Sequence, residues 1–306
     1  MEDNMNKVRL YMVLFLLLIL ISSKNVIPAY AESDHCGIIN ANEIWTSSGN
    51  VHKVSCDVIV PSGVTLTIQE GVIAKFQIGT KLVIDGTLRV LGTSSQPIYF
   101  TSIRDDTIGG DTNGDGGNTT PGWSNWRGIE FRAGSDDVNS LIDYAVIRYA
   151  GYDYRGNITL VSASPTIRNT TITNGHVAIR ANLTSLPRLS NNTFIDNAFN
   201  ALGYDGGTIN TDTIWDVTDT SYFVINDIYV GTGATLSISP GVIVKFEIGR
   251  KLVVDDTLTV NGSDSQPVYF TSIRDDTIGG DTNGDGGGTT PGWSNWRGIE
   301  FRAGSD

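Results

Sequence analysis

Histidine and cysteine are scarce in this chain: three of the first and two of the second in 306 residues. His35, His52 and His176 are scattered, without the spacing of a zinc site and without the partners of a nucleophilic triad. Basic charge is also short, with 21 Lys and Arg against 33 Asp and Glu and a net charge of -12. That balance opposes binding to a phosphate backbone, which sets nucleic acid aside as a partner. It suits divalent cations and solubility outside the cell. Helical periodicity is missing from the whole chain after the first 31 residues. Beyond that point no apolar run is long enough to cross a membrane.

The long apolar run that does exist, Tyr11–Ile21, follows Lys7 and Arg9 and precedes the small-residue site Ala29-Tyr-Ala31. The pattern predicts a secretory signal over residues 1–31, cleaved after Ala31, and a mature protein that is secreted or at the cell surface. A membrane anchor is the other reading, but the run is short for a span and is followed by a cleavage site. The stretch before Cys36 lacks the approach of a lipid anchor. Removing residues 1–31 takes away three basic and two acidic side chains, so the mature chain is slightly more acidic. In an oxidising compartment, Cys36 and Cys56 read as one disulfide tying the N-terminal segment to the fold; two buried free thiols is the alternative.

Two repeats are nested in the sequence. Residues from Ala41 to Asp136 recur without a gap from Thr211 to Asp306, at a constant offset of 170. About half the positions match up to Ile98, whereas from Tyr99 to Asp136 only Asn118 differs, becoming Gly288. Either constraint or recent copying accounts for the contrast. The sequence stops inside the second copy, which suggests a fragment. Inside each copy runs a step of 22 residues: Leu66 and Ile68 recur as Leu88 and Val90, Phe76 and Ile78 as Ile98 and Phe100, and Asn169 and Ile172 as Asn191 and Phe194. Each unit alternates apolar and polar residues, is rich in Val, Ile, Thr and aromatics, and is broken by Gly, Asn and Asp, which is a strand signal.

Short strands recurring at a fixed step predict a solenoid, because one coil cannot bury its apolar side alone. The runs "GVTLTIQEGVIAKFQIGTKLVIDGTLRVLGTSSQPIYFTS", "WRGIEF" and "ASPTIRNTTITN" resemble the secreted bacterial right-handed parallel β-helix proteins of the pectate-lyase-like superfold. The resemblance implies an all-β, right-handed parallel β-helix of about 22 residues per coil. The expected organisation is a first repeat over 32–210, with an N-terminal cap and a loop insertion at 104–126, and a truncated second repeat over 211–306. Leu66, Ile68, Phe76, Ile78, Leu82, Ile84, Leu88, Val90, Ile98 and Phe100 are expected to point inward. Asn169 and Asn191 fall at matching turns, where stacked amides satisfy one another. Both also match the N-glycan acceptor pattern, but a turn ladder explains why they recur.

The insertion carries "DDTIGGDTNGDGG" at Asp105–Gly117 and again at Asp275–Gly287. Asp111, Asn113 and Asp115 fit D-x-[DN]-x-[DN]-G, the first half of an EF-hand-type calcium loop. Gly122 stands where that loop needs a bidentate Glu, so other oxygens must complete the shell, from Asp105, Asp106, the Asp136 end, carbonyls or water. Such half-motif loops resemble those of dockerin-like and thrombospondin-type calcium repeats. The same assignment gives Asp281, Asn283 and Asp285, with Asp275 and Asp276 as further candidates. A solvated Asp/Gly turn without an ion is the competing reading. Trp123 and Trp126, with Trp293 and Trp296, either stack on sugar rings or anchor the insertion to the solenoid wall.

Two functions remain open. The first is a non-catalytic extracellular scaffold, adhesive or polysaccharide-binding, with calcium-stabilised loops and no catalytic residues; duplication of a loop suits multivalent binding. The second is a polysaccharide lyase or glycoside hydrolase acting on an acidic glycan, for which Asp105, Asp106, Asp136 and Arg104 or Arg127 supply the residue types.

Overall fold

Strands of three to nine residues, all paired in parallel, wind into a β-solenoid of about ten turns and about 23 residues per turn. The structure, a computed structural model, describes residues 32–306. The expected signal and its cleavage point lie outside the described residues. No helix among the described residues is long and apolar enough to cross a membrane. The two sequence copies belong to one compact unit, Glu32–Asp306.

The first six coils build three strand stacks. One contains Glu43–Trp45, Thr65–Gln69, Thr87–Leu91, Leu141–Asp143, Thr166–Arg168 and Arg188–Ser190. A second runs from the start of His52–Val60 through Ile73–Phe76 and Ile98–Ser102 to Thr193–Ile195. The third runs from the end of His52–Val60 through Lys81–Ile84 and Gly128–Phe131 to Phe199–Tyr204. Because His52–Val60 serves two stacks, they form one 15-stranded sheet.

Inward alternation fills the solenoid. Leu66, Ile68, Phe76, Leu82, Ile84, Leu88, Val90, Ile98 and Phe100 are fully buried. Each contributes on the order of 1.5–3 kcal/mol through the water it sheds. Ile78 does not join them: it lies in the turn after Ile73–Phe76 and is 39% exposed. The step of 22 holds in the first stack, where Leu66 faces Leu88 and Ile68 faces Val90. In the second stack Ala74 faces Phe100 and Phe76 faces Ser102, a step of 26. Extra turn residues around Thr93–Gln96 absorb the difference.

The expected asparagine ladder is present. Asn169 and Asn191 both take left-handed backbone (φ 51° and 54°). Asn191 Nδ2 donates to Asn169 Oδ1 at 3.4 Å, and Asn169 Nδ2 donates to Asp143 Oδ1 at 2.8 Å. An inner pair, Asn157 and Asn197, is fully buried and joined at 3.0 Å.

At the start of the solenoid, Ser33–Ile38 pairs with His52–Val60, and the Cys36–Cys56 disulfide crosses that pairing. Beside it, two histidines 17 residues apart in sequence become neighbours. His35 and His52 share a hydrogen bond of 2.9 Å, and both rings pack on Trp45. Burial lowers the pKa of each. They belong to the N-terminal cap, on the strands Ser33–Ile38 and His52–Val60.

Candidate cation site in the insertion loops

Residues 103–127 leave the coil after Ile98–Ser102 and return at Gly128–Phe131. Asn125 stitches the two ends. Its Oδ1 accepts from Ser102 Oγ at 2.9 Å and from Gly122 N at 3.1 Å. The loop then folds back over the outer side of the second stack. Gly109, at φ +68°, lies so close to the preceding coil that a Cβ there would sit 2.7 Å from Val51 Cγ2.

Two charged side chains fix this course. Lys75, in the middle of an apolar strand, is fully buried, and its Nζ donates to Gly110 O at 2.5 Å. Burial lowers its pKa, while Asp105, Asp106 and Asp111 pull it back up. Its counterpart Lys245 donates to Asp275 O and Gly280 O, both at 2.8 Å, and is lowered to about 8, with burial again the main cause. Arg148 reaches over from the next coil to Asp105 at 2.5 Å. Sequence reasoning missed both residues. The signal for the lysine was available: a cation in the centre of "IAKF" and again of "IVKF".

The structure separates the two aspartates that the sequence left equivalent. Asp105 is fully buried, and its oxygens also accept from Thr101 Oγ1, Thr107 N and Thr107 Oγ1. It anchors the loop, as Asp275 does with Thr271 and Thr277. Asp106 instead faces the half-motif. One oxygen each from Asp106, Asp111 and Asp115 falls within 4.8 Å of the others, and Asp276, Asp281 and Asp285 repeat the arrangement. Oxygens bound to one Ca²⁺ at about 2.4 Å stand at most about 4.8 Å apart, so the spacing fits that ion.

Backbone N–H groups shape the loop around these acids. Asp111 accepts from Gly114, Asp115 and Gly116. Asp115 accepts from Gly117, Asn118 and Thr119, from the Thr119 hydroxyl and from Asn113 Nδ2. The Thr119 hydroxyl is the main cause that holds the Asp115 pKa below its usual value. In both copies a carboxylate and an amide oxygen are buried and unbonded, Asp106 Oδ1 with Asn113 Oδ1 and Asp276 Oδ1 with Asn283 Oδ1; the Thr112 hydroxyl of the first loop is unbonded as well. The Asp276 pKa is raised, first by burial and then by the negative charges of Asp281 and Asp285. A cation between these groups would answer both the unbonded oxygens and the mutual repulsion.

The remaining candidates are dispersed. Asp136 bonds to Thr87 and Asn139 where the coil resumes, and Gly122 serves the base of the loop. Arg127 pairs with Asp153 at 3.3 Å. The tryptophans divide into two kinds. Trp126 is fully buried, stacked on Phe76 at 4.0 Å, with its indole N–H donated to Arg148 O. Trp296 stacks likewise on Phe246 at 4.4 Å. Trp126 is thereby closed to a sugar ring, while Trp296 is only half-buried; Trp123 and Trp293 are the freely exposed pair, at 54% and 102%.

The molecule is thus a parallel β-solenoid bearing two copies of an acidic insertion. No protein-family model, no curated protein and no solved structure matches the chain.

Proposed function

We propose that this chain is a non-catalytic scaffold of the secreted or cell-surface kind, in which each insertion holds one Ca²⁺ and presents an exposed tryptophan to a polysaccharide. The observation that carries the proposal is the twice-built acidic group, with a carboxylate and an amide oxygen left unbonded in each copy. Asp106, Asn113 and Asp115, with Asp111, would be the protein's share of the ligand shell, and Asp276, Asn283, Asp285 and Asp281 the second share. The ion would tie a loop that otherwise carries mutually repelling carboxylates. Kinship with the pectate-lyase-like β-helix proteins, and of the loops with dockerin-like and thrombospondin-type repeats, belongs to the same proposal and rests on the coil and loop patterns. Two linked platforms would raise avidity for a repeating glycan.

Titration calorimetry with CaCl₂ tests the proposal. The expected stoichiometry is two ions per chain, falling to none in the Asp106→Asn/Asp276→Asn double variant. Removing calcium with EDTA should lower the melting temperature, since a ligand at 100-fold its dissociation constant stabilises by about 2.7 kcal/mol per site. Absence of heat at millimolar calcium, with melting indifferent to EDTA, would reject the ion. Depolymerisation of pectate or alginate that disappears in Asp111→Ala would reject the scaffold and favour the enzyme.

A further inference from the structure

The solenoid is not continuous on every side. The stack that begins with Glu43–Trp45 ends at Arg188–Ser190, and the next sheet on that side begins at Thr213–Trp215 with no pairing between the two. The coils stay joined there through Phe199–Tyr204, which pairs with Tyr222–Val224. Between the unpaired edges lies an open groove of about 480 Å³, lined on one wall by Leu186–Asn191 and on the other by Ile214 and Asp216–Asp219.

Both walls present unpaired backbone. Arg188 N donates to Pro165 O and Ser190 O accepts from Asn169 N, so these residues face the coil behind. Strand alternation then turns the N–H and C=O of Leu189 into the groove. On the opposite wall, Trp215 O accepts from Ser239 N in the coil ahead, which turns the N–H and C=O of Ile214 into the groove from the other side. Asp219 closes one end, its carboxylate accepting from Asn191 N and Asn192 N. Leu186 and Ile214 are 39% and 57% exposed at the walls, and Arg188 and Asp216 are exposed charges on opposite sides.

We propose that this groove binds an extended polypeptide strand, which pairs with Leu189 on one side and Ile214 on the other and supplies the rung missing between the two sheets. A strand is the occupant that the walls specify: the unmet groups are peptide N–H and C=O on two facing strand edges, and both flanking sheets are built by the same parallel pairing. Strand addition at an open sheet edge draws affinity from main-chain bonds and selectivity from alternate side chains. Asp216 favours a basic residue in the bound segment, and Leu186 and Ile214 favour apolar ones.

The probe is an eight-residue peptide, this chain's own Gly86–Gly92 followed by a cysteine, in which Arg89 stands between Leu88 and Val90. It is tethered by a disulfide to a Thr218→Cys variant, because the two native cysteines are already paired and Thr218 is exposed at the groove. Tethering brings the effective concentration to about the millimolar range. Amide hydrogen exchange is read at Leu189 and Ile214 in the full chain. The expected result is at least tenfold slowing (~10×, about 1.4 kcal/mol) at both amides, lost when the peptide is N-methylated at alternate residues. Unchanged exchange with the tethered peptide overturns the proposal. So does equal slowing by the N-methylated peptide, or slowing by an alginate or pectate oligosaccharide in its place, which would make the groove a glycan site.

Discussion

At the scale of single residues, the two tryptophans of "PGWSNWRG" have opposite roles. Trp126 is interior and stacked; Trp123 is at the surface. Trp126→Ala should therefore cost about 3–5 kcal/mol of stability, the usual range for emptying an aromatic site in a packed core. Trp123→Ala should change stability by less than about 0.5 kcal/mol while weakening polysaccharide binding. Urea unfolding and glycan affinity measured on both variants check the contrast, and equal stability losses would contradict it. The half-motif and its acids were legible as letters, because Asp, Asn and Gly at alternate positions carry their own chemistry. The division of labour between Asp105 and Asp106 was not. It depends on Arg148 and Lys75, which arrive from other coils and are 43 and 30 residues from Asp105 in the sequence.

At the scale of elements, alternation and the step of 22 revealed the parallel strands, since every coil must bury the same side. The second stack escaped that rule. Turn residues are free to vary in number where they face water, and there they stretch the step to 26, so Ile78 was aligned with a buried partner although it sits in a turn. The N-terminal strand depends on its crosslink. Ser33–Ile38 pairs in two registers that break between His35 and Gly37, and Cys36 lies in the break. The disulfide spans 20 residues, and closing a loop of that length in the unfolded chain is worth about 3 kcal/mol in the entropic account. A Cys36→Ser/Cys56→Ser variant should lose stability of that order, with amides of Ser33–Ile38 exchanging before the rest. Unchanged exchange across that strand would show that pairing alone holds the cap.

At the scale of the whole molecule, the coils interact mainly with their neighbours, so stability is close to a sum of coil and interface terms. The weakest interface is expected where one stack stops and the next begins, between the strands Arg188–Ser190 and Thr213–Trp215. Constant sequence offset gave no hint of that break. The third stack runs past the break without interruption, because Phe199–Tyr204 pairs with Val177–Ala181 on one side and with Tyr222–Val224 on the other. The second insertion straps the break. Asn200 N donates to Thr282 O at 2.8 Å and Asn200 Nδ2 to Asp281 O at 3.1 Å, so a loop from late in the chain grips the sixth coil. Gly284 sits at that contact with φ +64°, and a Cβ there would stand 2.2 Å from Asn197 O, whereas the identical Gly114 of the first loop has nothing within 4 Å among the described residues. Both substitutions to Ala pay for left-handed backbone, roughly 1 kcal/mol. Only Gly284→Ala also forces backbone apart, adding roughly 1–3 kcal/mol. That variant should convert unfolding into two separated transitions, the coils after residue 207 melting first, while Gly114→Ala retains a single transition. Hydrogen exchange along a urea series resolves the two halves. Matching behaviour in both variants would mean that the strap carries no load and that the break is held by the pairing of Phe199–Tyr204 with Tyr222–Val224 alone.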